Sequence, residues 1–399
     1  MVKNRVLRKF LAAAILLVLL AAPRAEAGAR YVFLFIGDGM GPVQRESAQL
    51  YLRGRLEAEG NPDASQATLV MNTLPAQGLI HTNNIEGKLT DSAAAGTALA
   101  TGHKTQNGAI SKNTETGELF DSIAVKARRR GMKVGIVTSS YIVDATPAVF
   151  YGHASHRSEY YLLGKQLSDS DFEYFGGGSF RDLSGPDGDL RDIARSKGYA
   201  LTGSATESGS GAGKIFFVHP NLSTFNPGCM PYVIDGAEGP SLADFVRYGI
   251  RLLDSPAGFF LMTEGGRIDH ACHSNDGAAA ILETLAFDEA IKAAVDFMNT
   301  RPAETLIVVT SDHETGGMTL DPAADARTLY RLAGRRASFE AGGGGNPPDA
   351  AAGITWTTNQ HTARDIPVSA AGVHSDLFPG EYENTEICNK LLEAIEAAE

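Results

Sequence analysis

Short runs of hydrophobic residues recur along the chain, and each is followed by glycine or polar residues. The clearest run is Tyr31–Ile36, and similar runs occupy residues 133–137, 258–262 and 306–310. Near-continuous apolar runs of this length are typical of strands buried on both faces, as in a parallel sheet covered by helices. We therefore predict that these four runs are core strands of such a sheet.

Helical patterns lie between the predicted strands. Residues 122–130 end with three arginines and are followed by Gly131, which favours the C-terminus of a helix at that point. Residues 277–299 repeat apolar side chains at helical spacing, for example at Ile281 and Leu285. The alternation of strands and helices predicts an α/β fold, doubly wound, with a mostly parallel central sheet and helices on both faces.

Acidic side chains stand where three of the predicted strands end. Asp38 follows the first run, Glu264 follows the third and Asp312 follows the fourth. In doubly wound sheets, ligands bind outside the carboxyl ends of the strands. We therefore expect these three residues to lie at one edge of the sheet. Two other segments, residues 203–214 and 341–352, have the Gly-rich composition of loops.

The N-terminus has the pattern of a cleaved secretory signal. Four basic residues near the start precede an apolar run over residues 10–22, and Ala25-Glu26-Ala27 supplies the A-x-A pattern of a cleavage site. The apolar run is short for a membrane span, which needs about 20 residues. We predict that residues 1–27 are removed and that the product is periplasmic or secreted, without a stable membrane anchor. A retained amphipathic anchor is the alternative.

The charge of the chain bears on its partners. The formal net charge is −12, and removal of residues 1–27 takes away five basic residues and one acidic residue, which leaves −16. A chain this acidic is a poor nucleic-acid binder, and it repels anionic substrates at long range. Any specificity for phosphate must therefore come from a locally positive site, for which bound divalent cations are the obvious source.

Cysteine content limits covalent crosslinking. The three cysteines, Cys229, Cys272 and Cys388, allow at most one disulfide, and the sequence does not say whether one forms. A chain of 399 residues is long enough to bury a sizeable core. The fold must therefore rest on that core and not on disulfides.

Two acid–histidine pairs have the chemistry of metal ligands. Asp269 and His273 are four residues apart, so they share a face if the segment is helical. Asp312 and His313 follow a predicted strand and precede two glycines that permit a sharp turn. Carboxylates and imidazoles suit catalytic zinc. Taken singly, each pair fits a solvated surface acid, or a turn aspartate beside a half-buried histidine, at least as well.

Asp38 and Ser92 each have a structural and a chemical interpretation. Asp38 lies between two glycines, which let a ligand approach the backbone closely, so its carboxylate could bridge two cations. Alternatively, Asp38 and Gly39 could simply form a tight turn. Ser92 opens a predicted helix over residues 93–100, where a serine is more often an N-cap than a nucleophile. The free N–H groups and positive dipole at that position would, however, also surround a transferring phosphoryl group.

Taken together and in order, these segments resemble the alkaline phosphatase family. The matching motifs cover residues 37–41, 90–94, 264–273, 311–314 and 361–362. Further stretches within residues 31–113, 131–160 and 259–320 are also similar to the family, which extends the resemblance to about half of the chain. The resemblance implies one alkaline phosphatase-like catalytic domain over residues 28–399, with a short insert near residues 321–360.

The resemblance also implies a role for individual residues. One Zn²⁺ would be held by Asp269, His273 and His361, and a second by Asp38, Asp312 and His313, with Ser92 beside it as nucleophile. A third ion, usually Mg²⁺, would be held by Asp38, Thr146 and Glu264, with Asp144 acting through water and His270 close by. Arg157, eleven residues after Thr146, would bind the phosphate. The third ion could also be zinc or another metal.

The function implied by the resemblance is the hydrolysis of phosphate monoesters to an alcohol and inorganic phosphate through a phosphoserine intermediate. The expected partners are small phosphorylated substrates, with no nucleic acid, and a homodimer stays an open alternative to a monomer. Two alternatives stay open: a phosphodiesterase of the same superfamily, and a catalytically silent exported protein that binds phosphate or metal. Diesterases lack the third metal site as a rule, whereas the residues for that site are present here.

Overall fold

The computed structural model describes residues 28–204, 213–334, 337–339 and 347–397, so the predicted leader lies outside the described residues. The strands are β1 (Tyr31–Ile36), β2 (Ala76–His81), β3 (Lys133–Thr138), β4 (Tyr174–Gly177), β5 (Ser184–Gly185), β6 (Gly188–Asp189), β7 (Tyr199–Thr202), β8 (Lys214–Val218), β9 (Phe259–Glu264), β10 (Thr305–Thr310), β11 (Glu314–Thr315), β12 (Met318–Leu320), β13 (Ile354–Trp356), β14 (His361–Thr362), β15 (Ile366–Gly372) and β16 (Gly380–Glu383).

Ten of these strands form the central sheet, in the order β16-β2-β15-β10-β1-β9-β3-β4-β8-β7. All neighbours from β10 to β7 are parallel. Strand β15 is antiparallel to both β10 and β2, and β16 is parallel to β2. The other strands form the two-stranded pairs β11-β14, β12-β13 and β5-β6. The sheet is therefore mostly parallel, as predicted.

Helices connect the strands and cover the sheet. They are α1 (Pro42–Ala58), α2 (Val70–Thr73), α3 (Ser92–Thr101), α4 (Ile123–Arg129), α5 (Ala145–Ala148), α6 (Tyr160–Asp169), α7 (Leu190–Ser196), α8 (Leu242–Leu253), α9 (Arg267–His273), α10 (Gly277–Met298), α11 (Ala326–Ala333), α12 (Pro347–Ala351) and α13 (Thr385–Glu396), with 3-10 turns at Ala64–Gln66, Val233–Asp235 and Ser375–Leu377. None of the described helices is both long enough and apolar enough to cross a bilayer.

The alternation of side chains along β1 explains why both faces of the sheet are covered. Val32 and Leu34 point into a core that includes residues of α3, α4 and α13. Phe33 and Phe35 point into a second core that includes residues of α8 and α10. Because successive side chains of a strand point to opposite faces, a wholly apolar strand requires a core on each side. The predicted doubly wound α/β fold is confirmed.

The predicted boundaries differ from the observed ones by one or two residues. The predicted third strand ended at Met262, but β9 continues to Glu264. Glu264 is therefore the last residue of the strand and not, as predicted, a residue that follows it. The predicted helix over residues 122–130 is α4 with its two caps, and the Ser122 hydroxyl accepts a hydrogen bond from Val125 N. The helix predicted over residues 277–299 ends at Met298.

Both predicted loops are partly wrong. Lys214, the end of the first predicted loop, begins β8, whose apolar residues are buried in the sheet. Within the second predicted loop, Pro347–Ala351 forms the short helix α12. The segment predicted as an insert, residues 321–360, contains α11, α12 and β13, and β13 pairs with β12. The division of the chain into a leader and one catalytic domain stays a prediction.

Candidate active site

Three neighbouring strands bring acidic side chains to one edge of the sheet. In the register of the sheet, Ile36 at the end of β1 lies beside Glu264 of β9 on one side and Thr310 of β10 on the other. Asp38 and Asp312 are each two residues beyond these strand ends. All three carboxylates are buried. The structure therefore places them side by side, because parallel strands end at the same edge of a sheet.

One cluster consists of Asp38, Asp312 and His313. His313 Nε2 lies 3.2 Å from Asp312 Oδ2 and 3.6 Å from Asp38 Oδ1. The potential ligand atoms of these three residues all lie within 4.8 Å of one another. The backbone N–H of Gly39 donates to Asp312 Oδ1 at 3.2 Å and helps to fix that carboxylate. This is the set that the resemblance assigned to the second zinc.

A second cluster consists of Asp269, His273 and His361. Asp269 and His273 lie one turn apart on α9, as predicted, and His273 Nε2 is 3.3 Å from Asp269 Oδ2. His361 Nε2 lies 3.2 Å from His273 Nε2 and 3.9 Å from Asp269 Oδ1. His361 also stacks on His313, with ring centroids 3.6 Å apart. The two clusters are therefore adjacent, and His313 stands between them.

The orientation of two histidine rings leaves the same nitrogen available in each. His273 Nδ1 is 2.7 Å from the Asn359 carbonyl oxygen, and His361 Nδ1 is 2.9 Å from the Thr90 carbonyl oxygen. A carbonyl oxygen only accepts hydrogen bonds, so Nδ1 is the donor in both rings. In the neutral form of each ring, Nε2 then keeps its lone pair, and it points into the cluster in both cases, as in a metal-ligating histidine. Burial lowers the pKa of His273, but Asp269 outweighs burial and raises it to about 9, so a metal that binds at neutral pH would displace a proton from this ring.

Unpaired carboxylate oxygens indicate that the site fits divalent cations. Among the described residues, Asp38 Oδ1, Asp312 Oδ2 and Glu264 Oε1 are buried and have no hydrogen-bond partner. Burial, together with repulsion from the neighbouring carboxylates, raises the pKa of Asp38 well above its usual range, that of Asp312 to about 7 and that of Glu264 to about 8. Buried carboxylates without partners are costly unless cations compensate their charge.

Ser92 lies next to the first cluster. It is the first residue of α3, and its hydroxyl is 3.1 Å from His313 Nε2. The N-cap of this helix is Asp91, whose side chain accepts a hydrogen bond from Ala94 N at 3.0 Å. The structure thus excludes the interpretation of Ser92 as the N-cap, and the hydroxyl of Ser92 is not used to cap its own helix.

The residues expected to hold a third ion border the first cluster. Thr146 Oγ1 donates to Asp38 Oδ2 at 3.4 Å, and Thr138 Oγ1 donates to Glu264 Oε2. Asp144 has three donors, which are Ser140 Oγ at 2.7 Å, Ala145 N at 2.8 Å and Arg157 Nη2 at 2.9 Å. Burial opposes ionisation of Asp144, but Arg157 and the other partners outweigh it and lower its pKa. His270 Nε2 lies 3.9 Å from Asp144 Oδ2.

Arg157 is the cation of the site. Its guanidinium nitrogens lie 2.9 Å from a carboxylate oxygen of Asp144 and 3.5 Å from one of Asp91. Asp91 is the residue directly before Ser92. Burial lowers the pKa of Arg157, but the charges of Asp144 and Asp91 raise it by more, so the pKa lies above its usual value. A fixed guanidinium beside a helix N-terminus suits an oxyanion that needs two parallel hydrogen bonds.

Glu314 is a buried residue of the site to which sequence analysis did not assign a role. It is buried, and its two carboxylate oxygens accept from Gln44 Nε2 at 3.0 Å, Met318 N at 3.1 Å, Gly317 N at 3.2 Å and Thr362 Oγ1. It thereby ties β14, which carries His361, to the segment that carries Asp312 and His313. The residue lies inside the motif at 311–314, but only the tertiary contacts reveal this role.

Comparison with known proteins assigns the chain to a family. The family model described as alkaline phosphatase matches residues 29–171 and 165–340. The chain belongs to the alkaline phosphatase family. It is accordingly a hydrolase of the alkaline phosphatase superfamily, and membership supports the hydrolysis of phosphoesters.

Several alkaline phosphatase relatives match over nearly their whole length. The chain is 29% identical to alkaline phosphatase 4 of Bacillus subtilis, across 92% of this chain and 89% of the relative. It is 31% identical to streptomycin-6-phosphate phosphatase of Streptomyces griseus, across 95% of each chain. Among solved structures, the cold-active alkaline phosphatase of Shewanella sp. has a TM-score of 0.79 at 27% identity, with 92% of this chain and 99% of that chain covered. The alkaline phosphatase of the Antarctic bacterium TAB5 has a TM-score of 0.75 at 29% identity, with 93% and 98% covered.

The three cysteines are not among the candidate metal ligands. All three are buried free thiols. Burial raises the pKa of the Cys229 thiol to about 11, so this thiol is unsuited to act as a nucleophile at neutral pH.

Proposed function

We propose that the protein hydrolyses phosphate monoesters to an alcohol and inorganic phosphate, with Ser92 as the nucleophile. The observation that carries this proposal is the position of the Ser92 hydroxyl, 3.1 Å from His313 Nε2 and free of any capping role in its own helix. The hydroxyl thus borders a cluster of candidate metal ligands. Attack of Ser92 Oγ on phosphorus would form the Ser92–phosphate bond while the ester bond to the alcohol breaks. Water would then release inorganic phosphate from Ser92.

The candidate ligands support two zinc ions and one magnesium ion. Asp269, His273 and His361 would hold one Zn²⁺, Asp38, Asp312 and His313 the second, and Asp38, Thr146 and Glu264 the Mg²⁺, with Asp144 acting through water. When bound, such ions stabilise the charge on the attacking and leaving oxygens of an in-line displacement. A variant of the TAB5 enzyme has been solved with magnesium in its M3 site. The unpaired oxygens of Asp38, Asp312 and Glu264 are the main support for this assignment.

Other groups of the site would position the phosphate. Arg157 presents a guanidinium that can hold two phosphate oxygens, which a lysine could not do in the same geometry. The N–H groups of the first turn of α3 would donate to the same phosphate. Asp91 and Asp144 hold the guanidinium beside the residue that precedes Ser92.

The first test is turnover of p-nitrophenyl phosphate by the mature chain, from about pH 7 to pH 11, before and after treatment with EDTA. We expect activity that rises on the alkaline side, disappears with the chelator and returns with zinc and magnesium. A diester substrate serves as the comparison, and streptomycin 6-phosphate belongs in the panel because one relative is named for it. A folded, zinc-loaded protein that cleaves only the diester, or nothing, would contradict the proposal.

The second test addresses Ser92 itself. We expect Ser92→Ala to abolish a phosphoenzyme that can be trapped in the wild type by acid quenching, while zinc content is unchanged. Ser122→Ala is a matched control, because Ser122 is also a buried serine at a helix N-terminus, as the N-cap of α4. A phosphoenzyme that persists in Ser92→Ala would refute the role of Ser92.

We also propose that the protein is exported to the periplasm or secreted after cleavage following Ala27. The basic start, the apolar run and the A-x-A pattern of the leader support this proposal. Mass spectrometry of the purified protein is expected to give an N-terminus at Gly28. An intact N-terminus at Met1 would contradict it. Homodimer formation stays a prediction, which size-exclusion chromatography with light scattering would test.

A further inference from the structure

Arg267 is a completely buried arginine that begins α9, three residues before His270. Its guanidinium carbon lies 3.6 Å from the centre of the Tyr232 ring, and its Nη1 lies 2.9 Å from His270 Nδ1. The backbone N–H of Arg267 donates to Ser139 Oγ at 3.1 Å. A guanidinium that stacks on one ring and donates to another is held in a single orientation.

Two donors face Nδ1 of His270. One is Arg267 Nη1, and the other is Asn226 Nδ2 at 3.4 Å. A guanidinium donates hydrogen bonds and has no acceptor, so Nδ1 of His270 accepts from Arg267. The ring then carries its hydrogen on Nε2, which lies 3.9 Å from Asp144 Oδ2. Because a carboxylate accepts hydrogen bonds, the position of Asp144 agrees with this arrangement of the ring.

His270 is therefore arranged in the opposite way to His273 and His361. In the neutral form of those two rings, Nδ1 donates to a carbonyl oxygen and Nε2 keeps a lone pair for a metal. In His270 the lone pair belongs to Nδ1 and accepts from Arg267. Moving the hydrogen to Nδ1 would set it against the N–H of the guanidinium. Arg267 thus keeps Nε2 of His270 a hydrogen-bond donor.

This arrangement matters because the ligands proposed for the third ion all present oxygen. Asp38, Thr146 and Glu264 would supply carboxylates and a hydroxyl, and Asp144 would act through water. His270 is the only imidazole that was expected beside these residues. Magnesium takes oxygen ligands, whereas zinc also binds imidazole nitrogen readily. A lone pair on His270 Nε2 would therefore favour zinc at this position.

We propose that Arg267 is a positioning residue that withholds the nitrogen of His270 from the third ion, and that the third site selects magnesium over zinc for this reason. The role rests on the metal assignment given under the proposed function. Arg267 acts through the His270 ring and needs no contact with substrate or with the ion.

The test measures metal selectivity and not turnover. Protein treated with EDTA is reloaded with enough zinc for the two proposed zinc clusters, and further zinc then competes with magnesium for the third site. Elemental analysis after gel filtration counts the bound metals. We expect Arg267→Met to shift the preference of the third site towards zinc by about tenfold. Adding His270→Gln to Arg267→Met removes the imidazole, so the preference for magnesium should return.

A matched control is Arg45→Met. Arg45 is also a buried arginine, but its guanidinium donates to Ser369 Oγ and to the Pro367 carbonyl oxygen, both at 3.2 Å. We expect this variant to keep the preference of the wild type. An unchanged preference in a folded Arg267→Met variant would overturn the role of Arg267.

A measurement on the wild type does not depend on the folding of any variant. Long-range proton–nitrogen correlation spectra of protein labelled with isotopic histidine report which nitrogen of each ring carries a hydrogen, and loss of a signal in His270→Gln assigns that ring. We expect the hydrogen of His270 on Nε2. A hydrogen on Nδ1 would overturn the proposal. If the wild type binds neither zinc nor magnesium, or does not cleave p-nitrophenyl phosphate, the proposed function itself fails, whereas a failure confined to metal preference concerns Arg267 alone.

Discussion

Glu314 joins three distant parts of the site through one carboxylate. Its partners are Gln44 on α1, the turn at Gly317 and Met318, and Thr362 beside His361. A buried carboxylate with four donors is well compensated, whereas removing a single acceptor leaves a donor unpaired. We infer that Glu314 is a positioning residue, which sets the place of His361 relative to Asp312 and His313 without contacting substrate.

We therefore expect Glu314→Gln to weaken zinc binding. The amide has one acceptor oxygen instead of two and places N–H groups opposite the donors of the site. Loss of such supporting contacts typically lowers metal affinity by about 10- to 100-fold. Competition with a chelator of known zinc affinity gives the measurement, independently of activity. Glu283→Gln is the control, because Glu283 is also buried but accepts from Val233 N at 2.7 Å. Equal affinities for wild type and Glu314→Gln would refute the positioning role.

The residues of the site differ in how far the sequence predicted them. Asp269 and His273 could be paired from helical spacing, and α9 places them as expected. Asp312 and His313 could be placed at a strand end from the apolar run before them. The partner of His361 could not be found in this way, because the Thr90 carbonyl that orients its ring lies 271 residues earlier in the chain.

At the scale of elements, the N-terminus of α3 depends on Asp91. Its Oδ1 accepts from Ala94 N and its Oδ2 from Gly108 N, both at 3.0 Å, and the same carboxylate pairs with Arg157 at 3.5 Å. Asp91 therefore couples the capping of the helix to the position of the Arg157 guanidinium. The local sequence pattern predicted the start of a helix at this point, but it favoured Ser92 as the N-cap. Serine and aspartate are both good N-cap residues, so the pattern alone does not choose between Ser92 and Asp91.

Comparison of Asp91→Ala with Asp91→Asn would separate the stability that comes from the N-cap hydrogen bond from the stability that comes from the negative charge. Asparagine keeps an acceptor for Ala94 N, whereas alanine does not. We expect Asp91→Ala to lower the free energy of unfolding by about 1 kcal/mol more than Asp91→Asn does. Urea denaturation of both zinc-loaded variants gives the measurement. Equal losses of stability would mean that the cap does not hold this end of the helix.

A contact between two helices predicts how the stability of the protein depends on pH. Asp288 on α10 accepts from Val70 N at 2.8 Å and Met71 N at 2.9 Å, at the start of α2. Burial raises its pKa from 3.8 to about 6. Between these values the folded state binds more protons than the unfolded state, so the contribution of Asp288 to stability falls as the pH rises through this window and is constant above it.

Asp288→Asn tests this sign, because asparagine does not titrate. The stability of the wild type relative to the variant is expected to fall from about pH 4 to about pH 6 and then to level off. Urea unfolding of both proteins at a series of pH values gives the difference, in which other titrations cancel. Asp296→Asn, an exposed acid on the same helix, is the matched control. A relative stability that rises over the same window would contradict the prediction.

At the scale of the whole molecule, the fold concentrates negative charge at one edge of its sheet. Asp38, Glu264 and Asp312 come from three parallel neighbours, and the whole chain already carries a formal net charge of −12. Without cations, burial and mutual repulsion raise the pKa of Asp312 to about 7 and that of Glu264 to about 8. The fold thus creates a site whose charge requires compensation.

Metal binding should accordingly release protons. At pH 7 the raised pKa values keep part of the Asp312 and Glu264 population protonated, and a cation displaces those protons. Titration calorimetry of the EDTA-treated protein with zinc and magnesium, in buffers of different ionisation enthalpy, gives the number released. We expect this number to shrink as the pH is raised above about 8 and to be smaller in Glu264→Gln. Heats that do not depend on the buffer at pH 7 would contradict the prediction.

The sequence by itself determined four core strands of the sheet, three of the helices and the acidic residues at the strand ends, because apolar periodicity and residue type are local properties of the chain. It also contained the ordered motifs that relate the chain to alkaline phosphatases. Only the tertiary structure decided that β1 lies between β9 and β10, that Asp91 and not Ser92 caps α3, and that Glu314 ties His361 to the site. Strand order brings together side chains that are hundreds of residues apart, and local periodicity carries no information about that order.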